Sequence, residues 1–199
     1  RPNTFEGIGI KGLKWLQKVK KETGLLTCTE VANPDHVKAC LDHDVDILWV
    51  GARTTVNPFL IQNIADSLEG KDTPVMIKNP INADLSLWVG AIERFLNKGI
   101  TKLVGIHRGF STARPSQYRN EPYWKIPIEI RQKVPGLPLI CDPSHITGDR
   151  GKILDIGQKA FDMAMEGLMI ETHPDPDSAL SDRKQQVTPK HLEEILQML

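Results

Sequence analysis

An α/β fold of the (β/α)8 barrel type is predicted for this sequence, on three observations. Short apolar runs alternate with longer amphipathic stretches in unbroken order through the 199 residues. Such alternation calls for a parallel sheet covered by helices. Each strand-plus-helix unit takes roughly 30 residues, which suits a barrel of about 250. No strand is followed by a GxGxxG turn, which disfavours a doubly wound dinucleotide-binding sheet. Six βα units are counted, two short of closure. The expectation is therefore one barrel domain over residues 1–199 that lacks the first two βα units.

Each element has its own signal. Residues 11–22 carry Leu13, Leu16 and Val19 at helical spacing with lysines between them, and Gly24 follows as a stop. Residues 25–30 form a strand candidate, and 34–43 a helix opened by Asn33. Residues 45–51 read as a buried strand, followed by Asn57 as a cap and Pro58 at the first helical position. Then come strand 75–78, helix 85–97 closed by Gly99, strand 102–107 and a long polar loop. Helix 124–133, strand 137–141, helix 152–164, strand 167–172 and helix 189–199 complete the order.

Composition narrows the function classes. Lys plus Arg and Asp plus Glu each number 25. The balance offers no overall basic field for nucleic acid, although a local basic pocket for a small anion is still allowed. The longest apolar run falls far short of the ~20 residues that span a bilayer, and no charged-then-apolar leader opens the chain. Three cysteines, with no CxxC, fit neither a disulfide framework nor a Cys-rich zinc site. A reducing cytoplasm is expected, with Cys28 and Cys141 as buried thiols in apolar runs. His36, His43 and His191 fall on helices and are expected to face solvent.

Barrel active sites lie at the carboxyl ends of the strands, so the residues there carry the functional reading. The strands end in Thr29-Glu30, Gly51-Ala52-Arg53, Lys78-Asn79, His107-Arg108-Gly109, Asp142-Pro143-Ser144-His145 and Glu171-Thr172-His173. The opposite ends, such as Leu25 and Thr73-Pro74, are bland. Arg53, Lys78 and Arg108 are expected to converge on a small anion. A guanidinium fork matches phosphate oxygens, and an ammonium suits a carboxylate or a proton transfer. Glycines beside both arginines allow a backbone N–H to approach the anion. A rim salt bridge is the plainer reading of any one of them.

His145, Glu171 and Asp182 make a mixed nitrogen and oxygen set suited to Mn²⁺, Fe²⁺, Co²⁺ or Zn²⁺. Taken singly, they read as a loop histidine, an arginine partner and a turn cap. His173 is open between a group supporting the site, a general acid and a loop residue.

These stretches, with Phe5-Glu6-Gly7-Ile8-Gly9 before them and Ala179-Leu180-Ser181-Asp182 and Lys184-Gln185 after them, keep a fixed order. Together they resemble the type I-beta branch of the 3-deoxy-D-arabino-heptulosonate 7-phosphate synthases. The sister 3-deoxy-D-manno-octulosonate 8-phosphate synthases share the scaffold but differ where this chain reads Asp-Pro-Ser-His. The resemblance implies a metal-dependent condensation of phosphoenolpyruvate with erythrose 4-phosphate, opening the shikimate route. It implies that Gly51, Ala52, Arg53 and Arg108 hold the phosphoenolpyruvate phosphate and that Lys78 meets its carboxylate and reacting carbon. Asp142 and Ser144 join the substrate set, and His145, Glu171 and Asp182 bind the divalent ion. Lys78, Arg108 and His145 are the catalytic group. A homo-oligomer and, in some relatives, a chorismate mutase domain are implied as partners.

This sequence departs from the pattern in four places. It has no Gly-Pro-Cys-Ser stretch for a fourth metal ligand, and no Lys-Pro-Arg-Thr segment before Arg1. The usual Cys-Glu-Arg-Gly is Ile106-His107-Arg108-Gly109, so the glutamate's role is lost or passes to His107. Arg183 stands where a glycine usually follows the aspartate. Two expectations follow. Either the 199 residues are part of an enzyme and inactive alone, or they form a catalytically dead barrel serving as a binding or regulatory partner.

Overall fold

The computed structural model describes residue 5 and residues 7–199. Arg1 and Glu6, which take part in the resemblance, lie outside them. The elements are α1 (Ile10–Thr23), β1 (Cys28–Val31), α2 (Pro34–Asp42), β2 (Ile47–Val50), α3 (Ala52–Thr55), α4 (Pro58–Ser67), β3 (Val75–Lys78) and α5 (Leu85–Leu96). They continue with β4 (Leu103–His107), α6 (Lys125–Lys133), β5 (Leu139–Cys141), α7 (Pro143–Thr147), α8 (Ile153–Asp162), β6 (Gly167–Leu168) and α9 (Pro189–Met198).

The strands form one sheet in the order β1-β2-β3-β4-β5-β6, each parallel to the next. Every neighbouring pair is consecutive in sequence, so each helix returns the chain to start the adjacent strand, as in a barrel wall. Local chemistry sets the helix starts. Asn33 and Asn57 accept hydrogen bonds from the first-turn N–H groups of His36 and of Phe59 and Leu60, and a proline follows each cap.

Period-2 alternation gives the sheet two faces. Val31, Leu48, Val50, Val75, Ile77, Leu139 and Cys141 are wholly buried and share one core with Ile61, Ile64, Trp88, Ile92, Phe95 and Ile130 of the helices. Burying a large apolar side chain of this kind contributes about 1.5–3 kcal/mol. The intervening residues point the other way. Ile47, Met76, Val104 and Ile140 on that inner face are only half-buried, and β1 and β6 have no outer partner strand among the described residues.

Several expectations change. Strand 25–30 starts later, at Cys28, because Leu25 and Leu26 are exposed. Cys28 is exposed too, not buried, since it lies on the inner face of an edge strand; Cys141, on the core face, is buried. Strand 167–172 shortens to Gly167–Leu168, with β5 as its single partner, although Met169 N–H still donates to the Cys141 carbonyl. His43 and His191 are half-buried, and His43 Nδ1 sits 2.8 Å from the Ala39 carbonyl. The short helices α3 and α7 fall where only strand-end loops were expected, and at four and five residues neither can show a period. No helix among the described residues is long and apolar enough to cross a membrane.

Candidate active site

The carboxyl ends of the strands surround a cavity of about 410 Å³. Glu30 enters it from β1, Trp49 from β2, and Gly51, Ala52 and Arg53 from the turn into α3. Lys78, the last residue of β3, and Arg108, just past β4, complete a cationic wall with Arg53. Arg119, Asn120, His145 and Asp182 line it as well.

Each inner cation is held from behind. Lys78 is 4% exposed; its Nζ donates to Asp142 Oδ2 at 2.8 Å and lies 4.5 Å from the Trp49 ring centroid. The buried Asn79 side chain accepts from Arg108 N–H at 2.7 Å and donates to the Gly109 carbonyl at 2.8 Å, which sets where the arginine leaves the strand. Arg108 Nη1 donates to Asn120 Oδ1 at 2.8 Å, and Asn120 Nδ2 donates to the His145 carbonyl at 2.6 Å. Burial brings the Arg108 guanidinium down to about 10, so it stays charged at neutral pH. Arg53 is exposed at the mouth. Thr55 Oγ1, bonded to the Gly51 and Lys78 carbonyls, anchors α3 to β3.

The second half of the site is a donor cluster. His145, Glu171 and Asp182 present ligand atoms that all lie within 4.8 Å of one another. His145 Nε2 is 3.6 Å from Glu171 Oε1. One imidazole and two carboxylates fit a borderline divalent ion, and the spacing is tight enough for one ion to reach all three. Each donor has a partner behind it. Glu171 accepts from Gln185 Nε2 at 2.9 Å, and Asp182 accepts from Arg119 Nη1 at 2.7 Å. Asp142 Oδ2 lies 2.9 Å from His145 Nδ1 in a bent contact, outside linear hydrogen-bond geometry.

The carboxyl groups are pushed in opposite directions. Burial raises Glu30 despite the nearby Lys78, His145 and Arg53, and burial raises Glu171. Asp142 is fully buried, which alone would raise it. The His145 contact and the Lys78 ammonium nevertheless hold its carboxyl well below the usual range.

Of the residues expected from sequence, Gly51, Ala52, Arg53, Lys78, Arg108, His145 and Asp182 line one cavity. Glu171 joins them through the donor cluster. Asp142 and Ser144 are buried beneath the floor rather than in the lining, and Ser144 Oγ accepts from Glu171 N–H at 3.0 Å. His107 does not line the cavity. It faces the helix layer, fully buried, with its ring centroid 5.1 Å from that of Trp124 and 5.9 Å from that of Phe110. His173 Nδ1 accepts from Asp175 N–H at 3.0 Å, the bond of a loop brace.

Sequence reasoning missed Trp49, Arg119 and Asn120 and gave Glu30 and Gln185 no role. Strand-end position could have found Glu30 and Trp49. Arg119 and Asn120 sit in the long loop after β4, which folds back to place their N–H groups on the Thr147 and Ile146 carbonyls of α7. No local pattern marks that return.

With this geometry in hand, comparison with known proteins is informative. A profile described as the DAHP synthetase I family matches residues 1–199. A phospho-2-dehydro-3-deoxyheptonate aldolase of Thermotoga maritima is 30% identical over 196 residues, covering 98% of this chain and 56% of that protein. A 2-dehydro-3-deoxyphosphooctonate aldolase of Vesicomyosocius okutanii is 26% identical over 223 residues, covering 99% of this chain and 72% of that protein. The crystal structure of the Thermotoga maritima phospho-2-dehydro-3-deoxyheptonate aldolase, a DAHP synthase, superposes with a TM-score of 0.89 at 29% identity. That superposition covers 100% of this chain and 56% of the Thermotoga chain, so the chain spans little more than half the length of this relative. The sheet is accordingly part of a (β/α)8 barrel, of which the described residues contain six βα units.

Proposed function

The chain belongs to the DAHP synthetase I family, and on that premise we propose that the protein condenses phosphoenolpyruvate with erythrose 4-phosphate, opening the shikimate route to aromatic amino acids. The observation that carries this reading is one cavity lined by Arg53, Lys78 and Arg108 together with His145 and Asp182 of the His145, Glu171 and Asp182 donor cluster.

In this reading the strand ends form a single catalytic domain over residues 1–199. Arg53 and Arg108, with the Gly51-Ala52 backbone, grip the phosphate, and Lys78 meets the carboxylate and the reacting enol carbon. Holding both reactants at one rim turns a two-body encounter into a local one. His145, Glu171 and Asp182 would hold a Mn²⁺, Fe²⁺, Co²⁺ or Zn²⁺ ion, which when bound supplies Lewis-acid polarisation of the aldehyde oxygen. The methylene carbon of phosphoenolpyruvate then bonds to the aldehyde carbon, whose oxygen takes up a proton. Water adds at the neighbouring, phosphate-bearing carbon and gives up a proton, and inorganic phosphate leaves as that carbon becomes a keto group. The cationic wall stabilises the negative charge that develops on the phosphate and carboxylate oxygens. Glu30, which lines the cavity beside Gly51, is placed to exchange a proton with a reactant there. Its free thiols, Cys28, Cys40 and Cys141, fit a cytoplasmic enzyme. Assembly as a homo-oligomer belongs to the same reading.

Phosphooctonate aldolases among the relatives make the sugar the discriminating variable. The full-length protein, loaded in turn with each candidate metal, should release phosphate from phosphoenolpyruvate in the presence of erythrose 4-phosphate. The His145→Ala variant should not. Preference for arabinose 5-phosphate would move the assignment to the octulosonate branch. Turnover with neither sugar would leave the barrel as a binding partner rather than a synthase.

A further inference from the structure

Asp142 lies between the two halves of the site, and its oxygens are already engaged. It is 1% exposed. Oδ2 accepts from Lys78 Nζ at 2.8 Å and faces His145 Nδ1 at 2.9 Å. Oδ1 accepts from His145 N–H at 3.0 Å, which caps the five-residue helix α7 that carries the histidine. An anion so placed has no open face for a substrate, and a phosphate or carboxylate ligand would be repelled by it.

We propose that Asp142 is a positioning residue shared by the anion and metal subsites, which orients the Lys78 ammonium and, through the His145 backbone N–H and the ring nitrogen beside it, holds His145 with Nε2 toward Glu171. This rests on the metal-and-anion reading of the site given above. Nδ1 toward Asp142 and Nε2 toward Glu171 are the two directions one imidazole offers. A carboxylate behind a ligating histidine steadies the ring that carries the ligating nitrogen. The same carboxylate neutralises a buried ammonium that would otherwise be costly to keep charged at the cavity floor. One residue thereby sets both the cation that meets the anion and the nitrogen that meets the metal. They are linked through a single side chain, although Lys78 and Asp142 are 64 positions apart in sequence.

The test compares three variants of the full-length protein, titrated separately with Co²⁺ and with phosphoenolpyruvate. Asp142→Asn keeps an oxygen to cap α7, but its amide presents N–H donors to Lys78 and His145. It should weaken Co²⁺ binding about 10–100-fold, alter the Co²⁺ absorption spectrum and also weaken phosphoenolpyruvate. Lys78→Met should weaken only phosphoenolpyruvate, and His145→Ala only Co²⁺. A purely structural role would lower the melting temperature of Asp142→Asn and leave the Co²⁺ spectrum of the folded fraction unchanged, which would overturn the proposal. So would loss of one ligand without the other. Failure of the wild type to bind Co²⁺ would overturn the metal reading itself and the proposal with it. Independently of any variant, ¹⁵N spectra of the Zn²⁺-loaded wild type should show the metal on His145 Nε2. Metal on Nδ1 would overturn the assignment even if Asp142→Asn does not fold.

Discussion

Lys78 Nζ packs against the face of Trp49, 4.5 Å from the ring centroid, while it donates to Asp142 at 2.8 Å. The indole thus forms part of the wall that keeps the ammonium at the cavity. A desolvated cation over a tryptophan face is stabilised by about 2 kcal/mol, less if exposed. Trp49→Leu should weaken phosphoenolpyruvate binding by about 0.5–2 kcal/mol. Tryptophan emission should change on binding in the wild type, and most of that change should vanish in the variant. A full signal from the variant would show that Trp49 does not border the ligand.

Arg53 is exposed at the mouth of the cavity, whereas Arg108 is buried and bonded to Asn120. Losing Arg53 should therefore cost binding and not stability. Arg53→Ala is expected to weaken phosphoenolpyruvate by about 1.5–3 kcal/mol, the range for a hydrogen bond to a charged group. Calorimetric titration measures this, and an unchanged affinity would remove Arg53 from the anion site.

Gly51 leaves room for Glu30. A Cβ added there would lie 2.0 Å from Glu30 Oε1 and 3.0 Å from its Cδ. The backbone at Gly51 is ordinary (φ −71°) and the obstructing atom is the end of a movable side chain. Gly51→Ala should thus leave stability within about 1 kcal/mol of wild type while it drives Glu30 out of position. Turnover should fall with the melting temperature nearly unchanged; a large drop in stability would place the constraint in the backbone instead.

His107 is wholly buried, and neither ring nitrogen makes a well-formed hydrogen bond, although the Pro122 carbonyl is near. Burial first, opposed by Asp142 and reinforced by Arg108, brings it down to about 3 from an ordinary value of 6.5. The folded form holds the ring neutral while the unfolded chain binds a proton below pH 6.5. Stability is therefore fully present above that pH and is lost on acidification down to about 3, with a slope approaching ~1.4 kcal/mol per pH unit. His107→Phe should lose about 2 kcal/mol less than wild type between pH 7.5 and 5 in denaturant titrations. Parallel losses in the two proteins would mean that His107 does not govern the acid limb.

The elements differ in how legible they were, and the reason is local. Strand Val75–Lys78 carries its period in adjacent residues, and the helices after Asn33 and Asn57 carry their own caps and prolines. Helix α7 has a cap and a proline too, but at five residues it is too short to show a face. β6 was read too long because apolar residues 168–170 look like strand whether or not a neighbour is present to pair with them. The donors His145, Glu171 and Asp182 were legible as residue types at strand ends or beside them. Their partners Gln185 and Arg119 carried no such mark.

By itself, then, the sequence determined the βα order, the six parallel strands and the rim at which charged residues gather, since each depends on spacing within a few residues. Only the tertiary structure decided which polar groups enter the cavity. It put Asp142 under the floor, turned His107 into the helix layer and brought Arg119 to Asp182 across 63 positions of chain. Contacts at that separation depend on how helices and strands pack against each other, and no short stretch of residues encodes them.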